Sequence, residues 1–370
     1  MKYYIVVGEA SGDLHGSNLM KALYKEDPKA DIRFWGGDLM QNVGGTLVSH
    51  YKQRAFMGFF EVVKNLRKLL GFISICKKDI AQFQPDVIIF IDNSGFNLRI
   101  AKWAKQQGFK TNYYISPQVW ASRSKRVKDI KRDVDELFVI LPFEKDFYSK
   151  FNYEVTFVGH PLIDAIADRT QVSEFKFKEE YQLDNRPIIA LLPGSRKQEI
   201  TKMLSVMLSL VDDFKEHQFV IAGAPSQDFS FYQQIIGDRK VNFINNKTYD
   251  LLSISTAALV ASGTATLETA LFKVPQVVCY KGGTISYQIA KRIITLKFIS
   301  LVNLIMDKEV VTELIQDDFT KNNLKKELIK ILDTTHREKL FLEYFELEKK
   351  LGGKGASKNV AKAIVKNLNS

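Results

Sequence analysis

Two doubly wound α/β domains in tandem are the architecture this sequence predicts, and three observations carry that expectation. The chain has 370 residues, too many for one compact core. Short runs that are apolar throughout recur along it, as strands buried on both faces of a parallel sheet require. Longer segments of mixed polarity lie between those runs, as crossover helices would.

In order, the first series of runs is YYIVV (3–7), DVIIFI (86–91), TNYYIS (111–116), ELFVIL (136–141) and VTFVG (155–159). Segments 61–80 and 97–107 suit the helices between them. The second series is PIIALLP (187–193), QFVIAGA (218–224), VNFIN (241–245), AALVAS (257–262) and QVVCY (276–280). The polar stretch 168–187 reads as the junction. The domains expected are therefore residues 1–167 and 185–344. Residues 345–370 read as helix, glycine-rich break and helix, returning to the first domain.

Composition bounds the function. Hydrophobic residues make up 45% of the chain, enough for two cores and too many for a disordered chain. No run of about 18 apolar residues occurs, so no membrane span is expected. The N-terminus lacks the long apolar region of a cleavable signal. Two distant cysteines, Cys76 and Cys279, fit a reducing cytoplasm and exclude a disulfide framework. Five histidines without ligand spacing point to no metal, and no cofactor is expected. A net charge of +11 with a pI near 9.3 suits polyanionic partners. No nucleic-acid motif accompanies that charge, so phosphorylated substrates and acidic lipid rank above nucleic acid.

In open parallel sheets ligands bind beyond the C-terminal ends of the strands. Five strand ends carry turn chemistry: VVGEASGD (6–13), FIDNSGFN (90–97), ISPQVW (115–120), LLPGSRKQEI (191–200) and ASGTATLE (261–268). Gly194, Ser195 and Arg196 precede one helix, and Gly263, Thr264, Ala265 and Thr266 open another. Free N–H groups and the dipole at such a start attract an anion, and the Arg196 guanidinium can grip phosphate as a fork. Glu268 would repel phosphate but suits the paired hydroxyls of a ribose. The two turns therefore read as one nucleotide site, pyrophosphate on the glycine turns and sugar on Glu268. Neither turn is a Gly-x-Gly-x-x-Gly or P-loop sequence.

These stretches, with MGFFEVV (57–63), YISPQVWA (114–121), LPFEKDFY (141–148), FVGHPL (157–162) and ISLVNLIMDKEVVTELIQ (299–316), resemble the lipid-A-disaccharide synthase family. They occur in family order across nearly the whole chain. The resemblance implies a GT-B fold, two Rossmann-like domains with an interdomain cleft. It implies an inverting transfer from UDP-2,3-diacylglucosamine to 2,3-diacylglucosamine 1-phosphate, releasing UDP. Arg196 and the 263–266 turn would hold the departing diphosphate, with Asn303 as a further donor-side residue. On the acceptor and membrane side it implies Glu9, Ser11, Asp13, Met57, Phe59, Phe60, Glu61, Asn97, Gln118, Arg123 and Arg126.

One departure stands out. The family usually reads Ile-Asp-x-Pro-Asp-Phe-Asn after the strand, and its second Asp is the favoured base. This chain has Gly95 at that position, leaving Asp92 as the expected base, with Asp13 and Glu61 as the other acids. The apolar-basic stretch 56–78 and the run RSKRVKDIKR (123–132) suit peripheral attachment to the inner face of the cytoplasmic membrane of a Gram-negative cell. The partners implied are the two substrates and anionic lipid, with a second copy of the chain as a further partner. The rival readings are another GT-B enzyme using UDP-N-acetylglucosamine, a transferase or an epimerase, and a non-catalytic nucleotide- or lipid-binding homologue.

Overall fold

The computed structural model describes residues 1–54, 66–283 and 297–369. The chain forms two compact units, residues 1–164 with 351–370, and residues 165–350.

In the first unit the elements run β1 (Lys2–Val6), α1 (Ala10–Glu26), β2 (Asp31–Gly36), α2 (Asp38–Val43), β3 (Thr46–His50), α3 (Leu66–Phe83), β4 (Val87–Ile91) and α4 (Ser94–Gln106). They continue through β5 (Thr111–Tyr114), α5 (Val119–Ser122), α6 (Val127–Asp133), β6 (Glu136–Val139), α7 (Glu144–Ser149), β7 (Thr156–Phe157) and α8 (Pro161–Ala167), which leads into the second unit. The seven strands are all parallel, in the order β3-β2-β1-β4-β5-β6-β7. Alternate strand residues enter opposite cores, because side chains on a strand point to opposite faces. Tyr4, Val6, Ile88 and Phe90 pack with Ile80 of α3, Ile100 of α4 and Ile130 of α6. Tyr3, Ile5, Ile89 and Ile91 pack with Leu19 and Leu23 of α1 on the other face.

The second unit runs α9 (Glu174–Glu180), β8 (Ile188–Leu192), α10 (Lys197–Leu208), β9 (Gln218–Gly223), α11 (Phe229–Ile236), β10 (Asn242–Asn245), α12 (Thr248–Ser253), β11 (Ala257–Ala261) and α13 (Thr264–Leu271). After β12 (Gln276–Tyr280) come α14 (Leu301–Met306), β13 (Glu313–Ile315), α15 (Lys321–Leu332) and α16 (Thr334–Lys350). Its six parallel strands take the order β10-β9-β8-β11-β12-β13. The last helix, α17 (Ala356–Asn369), belongs to the first unit, where Val360, Ala361 and Ile364 join the α1 core. The break before it is tied down by His160 N–H on the Leu351 carbonyl (2.9 Å) and Gly355 N–H on Asp164 (2.7 Å).

Strands β2, β3 and β13 lie outside the apolar series read from sequence. β2 includes Asp31 and half-buried Arg33, whose guanidinium holds Asp79 at 2.6–2.8 Å. β3 lies at the sheet edge and β13 is three residues long. Among the described residues no helix is long and apolar enough to cross a membrane.

Candidate functional site

Each sheet reverses its strand order once, between β1 and β4 in the first unit and between β8 and β11 in the second. There the connections leave in opposite directions and open a crevice beyond the strand ends, the place where such sheets take ligands.

In the second unit the β8 and β11 turns meet at that crevice. Together with the end of β9 they bound a cavity of about 230 Å³, walled by Gly194, Ser195, Gly223, Gly263, Thr264 and Glu268. Gly194 has φ +104°, a conformation that L side chains rarely adopt. A Cβ there would also come within 3.0 Å of a Glu199 carboxylate oxygen. Gly194 thus lets the chain turn sharply into α10, whose N-cap is Arg196. The Arg196 side chain is 82% exposed and its guanidinium rests on Glu199 at 3.0 Å. Gly263 is the N-cap of α13; Thr266 N–H bonds to its carbonyl at 3.2 Å, and the N–H groups of Thr264 and Ala265 are left without a partner inside the helix.

Glu268 stands one turn along α13 and accepts a hydrogen bond from the Tyr249 hydroxyl at 2.8 Å. Burial raises its pKa above the ordinary carboxylate value, and the Tyr249 hydrogen bond opposes that rise. A second cavity of about 370 Å³ shares Glu199 and Ser262 with the first and adds Lys197, Lys202, Tyr280 and Lys281. Lys202 Nζ donates to the Gly282 carbonyl at 3.0 Å and holds that wall.

Two residues expected here make their side-chain hydrogen bonds inside the protein. Thr266 is fully buried and spends its hydroxyl on the Gly263 carbonyl at 2.8 Å, bracing the turn from inside. Asn303 is also fully buried. Its amide donates to the Val311 carbonyl (2.8 Å) and Glu313 (2.9 Å), and its oxygen accepts from Val310 and Val311 N–H (2.8 and 3.0 Å). With those bonds made inside the protein, Asn303 clamps α14 to the approach to β13.

In the first unit the turn after β1 meets the turn after β4. A Cβ on Gly8 would lie 2.0 Å from the Asn93 amide nitrogen, so only glycine lets the two turns close. Asp92 and Asn93 both have left-handed backbones, φ +47° and +44°. That is an uncommon, costly conformation for non-glycine residues. It is held because Asn97, fully buried, donates to the carbonyls of Ile91 and Asp92 at 3.2 and 2.8 Å, while the Tyr113 hydroxyl donates to the Asp92 carbonyl. Asn97 therefore supports Asp92 from behind. Burial and the neighbouring Glu9 carboxylate raise Asp92 to about 6. Glu9 is exposed and accepts from the Ser11 hydroxyl at 3.0 Å.

Asp13 is buried and accepts the N–H groups of Gly37, Leu39 and Met40 at 2.8–3.2 Å. It caps α2 with both carboxylate oxygens. Gly95 is exposed in the first turn of α4, without a left-handed φ, and a Cβ there would meet open space. The missing acid at this position is thus a chemical change and not a backbone requirement. Gln118 and Arg123 are exposed and Arg126 is half-buried. Met57, Phe59, Phe60 and Glu61 lie outside the described residues.

The basic run is partly spent. Val127 and Ile130 are core, Arg132 forks onto Asp133 at 2.6–2.7 Å, and Lys131 binds the carbonyls of Phe151 and Asn152. Sequence reading also passed over Glu144, Tyr249 and Glu199. Glu144 is buried and accepts from Ile140 and Leu141 N–H at 3.2 and 2.9 Å; burial pushes it up to about 7. Glu199 carried a signal, an acid at the third helical position, the place of the acid in a capping box. Tyr249 carried none, being 19 residues from Glu268.

The family model described as lipid-A-disaccharide synthetase matches residues 3–365 of this chain. The lipid-A-disaccharide synthase of Syntrophus aciditrophicus is 39% identical over 371 residues, 96% of this chain and 95% of the relative. That of Geobacter metallireducens is 38% identical, covering 98% and 96%. Among solved structures, a putative UDP-N-acetylglucosamine 2-epimerase from Listeria monocytogenes superposes with a TM-score of 0.70 at 14% identity, covering 99% and 96%. A UDP-GlcNAc 2-epimerase from Neisseria meningitidis, bound to UDP-GlcNAc, gives 0.67 at 14%, covering both chains fully. At that identity the likeness carries the fold alone, which is of the GT-B type.

Proposed function

The chain belongs to the lipid-A-disaccharide synthase family, and on that premise we propose that the two adjoining cavities at the β8 and β11 turns, one walled by Glu268 and the other by Arg196, take the UDP of the sugar donor and that the Asp92 crevice takes the lipid acceptor. The activity is that of a glycosyltransferase: it joins UDP-2,3-diacylglucosamine to 2,3-diacylglucosamine 1-phosphate and releases UDP. The observation that carries the site assignment is the position of both candidate sites at the strand-order reversals of their sheets.

The chemistry follows from the charges. As the bond from the anomeric carbon to the diphosphate breaks, negative charge grows on the departing UDP. The Arg196 fork and the α13 N-terminus stabilise that charge. Glu268, kept away from the phosphates and oriented by Tyr249, accepts from the ribose hydroxyls. The acceptor hydroxyl attacks from the opposite face of the sugar, which inverts the linkage, and passes its proton to Asp92.

UDP release by the purified protein tests this reading. Release should require both diacylated substrates and yield the disaccharide. Epimerised UDP-sugar, or UDP release indifferent to the acceptor, would overturn it.

Peripheral attachment to anionic membrane is part of the same proposal. Arg123, Lys125 and Lys128 are exposed and Arg126 is half-buried beside the Gln118 loop, and none of the four pairs with a carboxylate among the described residues. Each such cation near an anionic surface contributes about 1 kcal/mol. Sedimentation with anionic vesicles should fall as salt rises and fall again in Arg123→Ser with Lys128→Ser. Equal binding to neutral vesicles would refute the electrostatic part.

A further inference from the structure

We infer that the Tyr249 hydroxyl is a positioning group for Glu268 and makes the donor cavity selective for a ribonucleotide over its dideoxy counterpart. This rests on Glu268 being the ribose ligand and adds what aims its carboxylate.

Helices α12 and α13 meet beside the cavity, and Thr248 of the first and Glu268 of the second both line it. Tyr249, next along α12, donates its hydroxyl to Glu268 Oε1 at 2.8 Å. Among the described residues this is the one hydrogen bond that the Glu268 carboxylate makes, and no cation pairs with it. The nearby cations are spent elsewhere, Arg169 and Lys247 both pairing with Asp250, at 3.0 and 3.5 Å.

The Tyr249 ring is itself braced. It meets the ring of Phe272, just beyond the end of α13, with centroids 5.3 Å apart. The Arg169 guanidinium lies over that Phe272 ring at 4.9 Å while it holds Asp250. Arg169 therefore ties the residue after Tyr249 to the ring that Tyr249 packs on, and the hydroxyl is aimed by a stiff frame.

That arrangement has a chemical use. An arginine fork on Glu268 would take up both carboxylate oxygens. A single neutral hydroxyl takes one of about four lone-pair sites and leaves the rest to accept from the 2′- and 3′-hydroxyls of a ribose. Burial and the Glu268 charge raise the Tyr249 pKa above its ordinary value, so the hydroxyl stays a donor at neutral pH. Its bond also opposes the rise that burial imposes on Glu268, and so favours the ionised form, which only accepts. Held at one oxygen, the carboxylate has less freedom left to lose when the sugar arrives. A nucleotide without those hydroxyls gives this half-buried carboxylate no second donor.

Calorimetry with UDP and 2′,3′-dideoxy-UDP on the parent, Tyr249→Phe and Glu268→Ala tests this, beside a melting curve for each. Tyr249→Phe keeps the ring that packs on Phe272 and removes only the hydroxyl. The parent should prefer UDP by roughly ten- to hundredfold, as a hydrogen bond to a charged group gives. Glu268→Ala should bring the two nucleotides to about equal affinity. Tyr249→Phe should weaken UDP by about three- to tenfold and leave dideoxy-UDP unchanged. Its donor KM should rise with kcat held, because the ribose contact is the same in the ground and transition states. Partial unfolding would weaken both nucleotides by one factor and leave their ratio, so the ratio reads positioning and not stability. The parent's ratio in Tyr249→Phe, with the preference lost in Glu268→Ala, would overturn the role of Tyr249 alone. A preference that survives in Glu268→Ala, or none in the parent, would overturn Glu268 as the ribose ligand and Tyr249 with it.

Discussion

Replacing Arg196 by alanine should separate binding from stability. The side chain is 82% exposed and its ion pair with Glu199, at 3.0 Å, is a surface pair. Such pairs contribute roughly 0.2–1 kcal/mol, so the thermal midpoint should hardly move. A charge-assisted contact to diphosphate contributes ~1.5–3 kcal/mol, which is roughly a ten- to hundredfold weaker Kd for UDP. Binding must first draw the guanidinium off Glu199, so the observed loss belongs at the lower end. Two companion variants sharpen the expectation. Arg196→Lys keeps the charge but loses the planar fork, and should fall between parent and alanine. Glu199→Gln frees the guanidinium and removes a negative charge beside the phosphates, and should tighten UDP by about twofold. Calorimetry with UDP on each purified variant, beside a melting curve, measures both quantities. A Kd for Arg196→Ala within twofold of the parent would remove Arg196 from the diphosphate site.

Asn303→Ala should do the reverse. It strips the partners of Val310 and Val311 N–H, so we expect a loss of ~2–4 kcal/mol in urea unfolding with UDP affinity intact in the folded protein; lost UDP binding at full stability would make Asn303 a ligand after all. Glu144 has a folded pKa of about 7 against an ordinary 4.5, so its contribution is full below about 4.5 and is lost as pH rises to 7, by ~3 kcal/mol. Glu144→Gln should therefore gain stability relative to the parent between pH 5 and 8, and parallel stability curves would refute this. Gly95→Asp places an acid in open space in the first turn of α4, where the dipole favours it by about 0.3–1 kcal/mol. Turnover should rise with the melting point, and a raised melting point at unchanged turnover would show that position 95 does not reach the acceptor.

Much of the fold was legible because parallel strands covered on both faces must be apolar throughout. The VIIFI run of β4 and the AALVA run of β11 are such strands, and their turns announce themselves by Gly194, Gly263 and the residues around them. β2 and β3 were not legible, since Arg33 and Asp31 break the apolar run and β3 lies at the sheet edge. The anion-attracting character of the β8 and β11 turns could be read from residue type alone, because a glycine turn before a helix has one electrostatic meaning wherever it sits.

The tasks of Asp13, Thr266 and Asn303 could not be read that way. A polar residue in a family motif serves substrate or backbone according to which partners the fold brings within about 3 Å, and those partners are 24 or more residues away for Asp13. Sequence alone determined the alternation of strand and helix and the chemistry of the turns, both of which depend on near neighbours. Tertiary structure decided which acids stay free to act, because burial and long-range hydrogen bonds are set only when the sheets close.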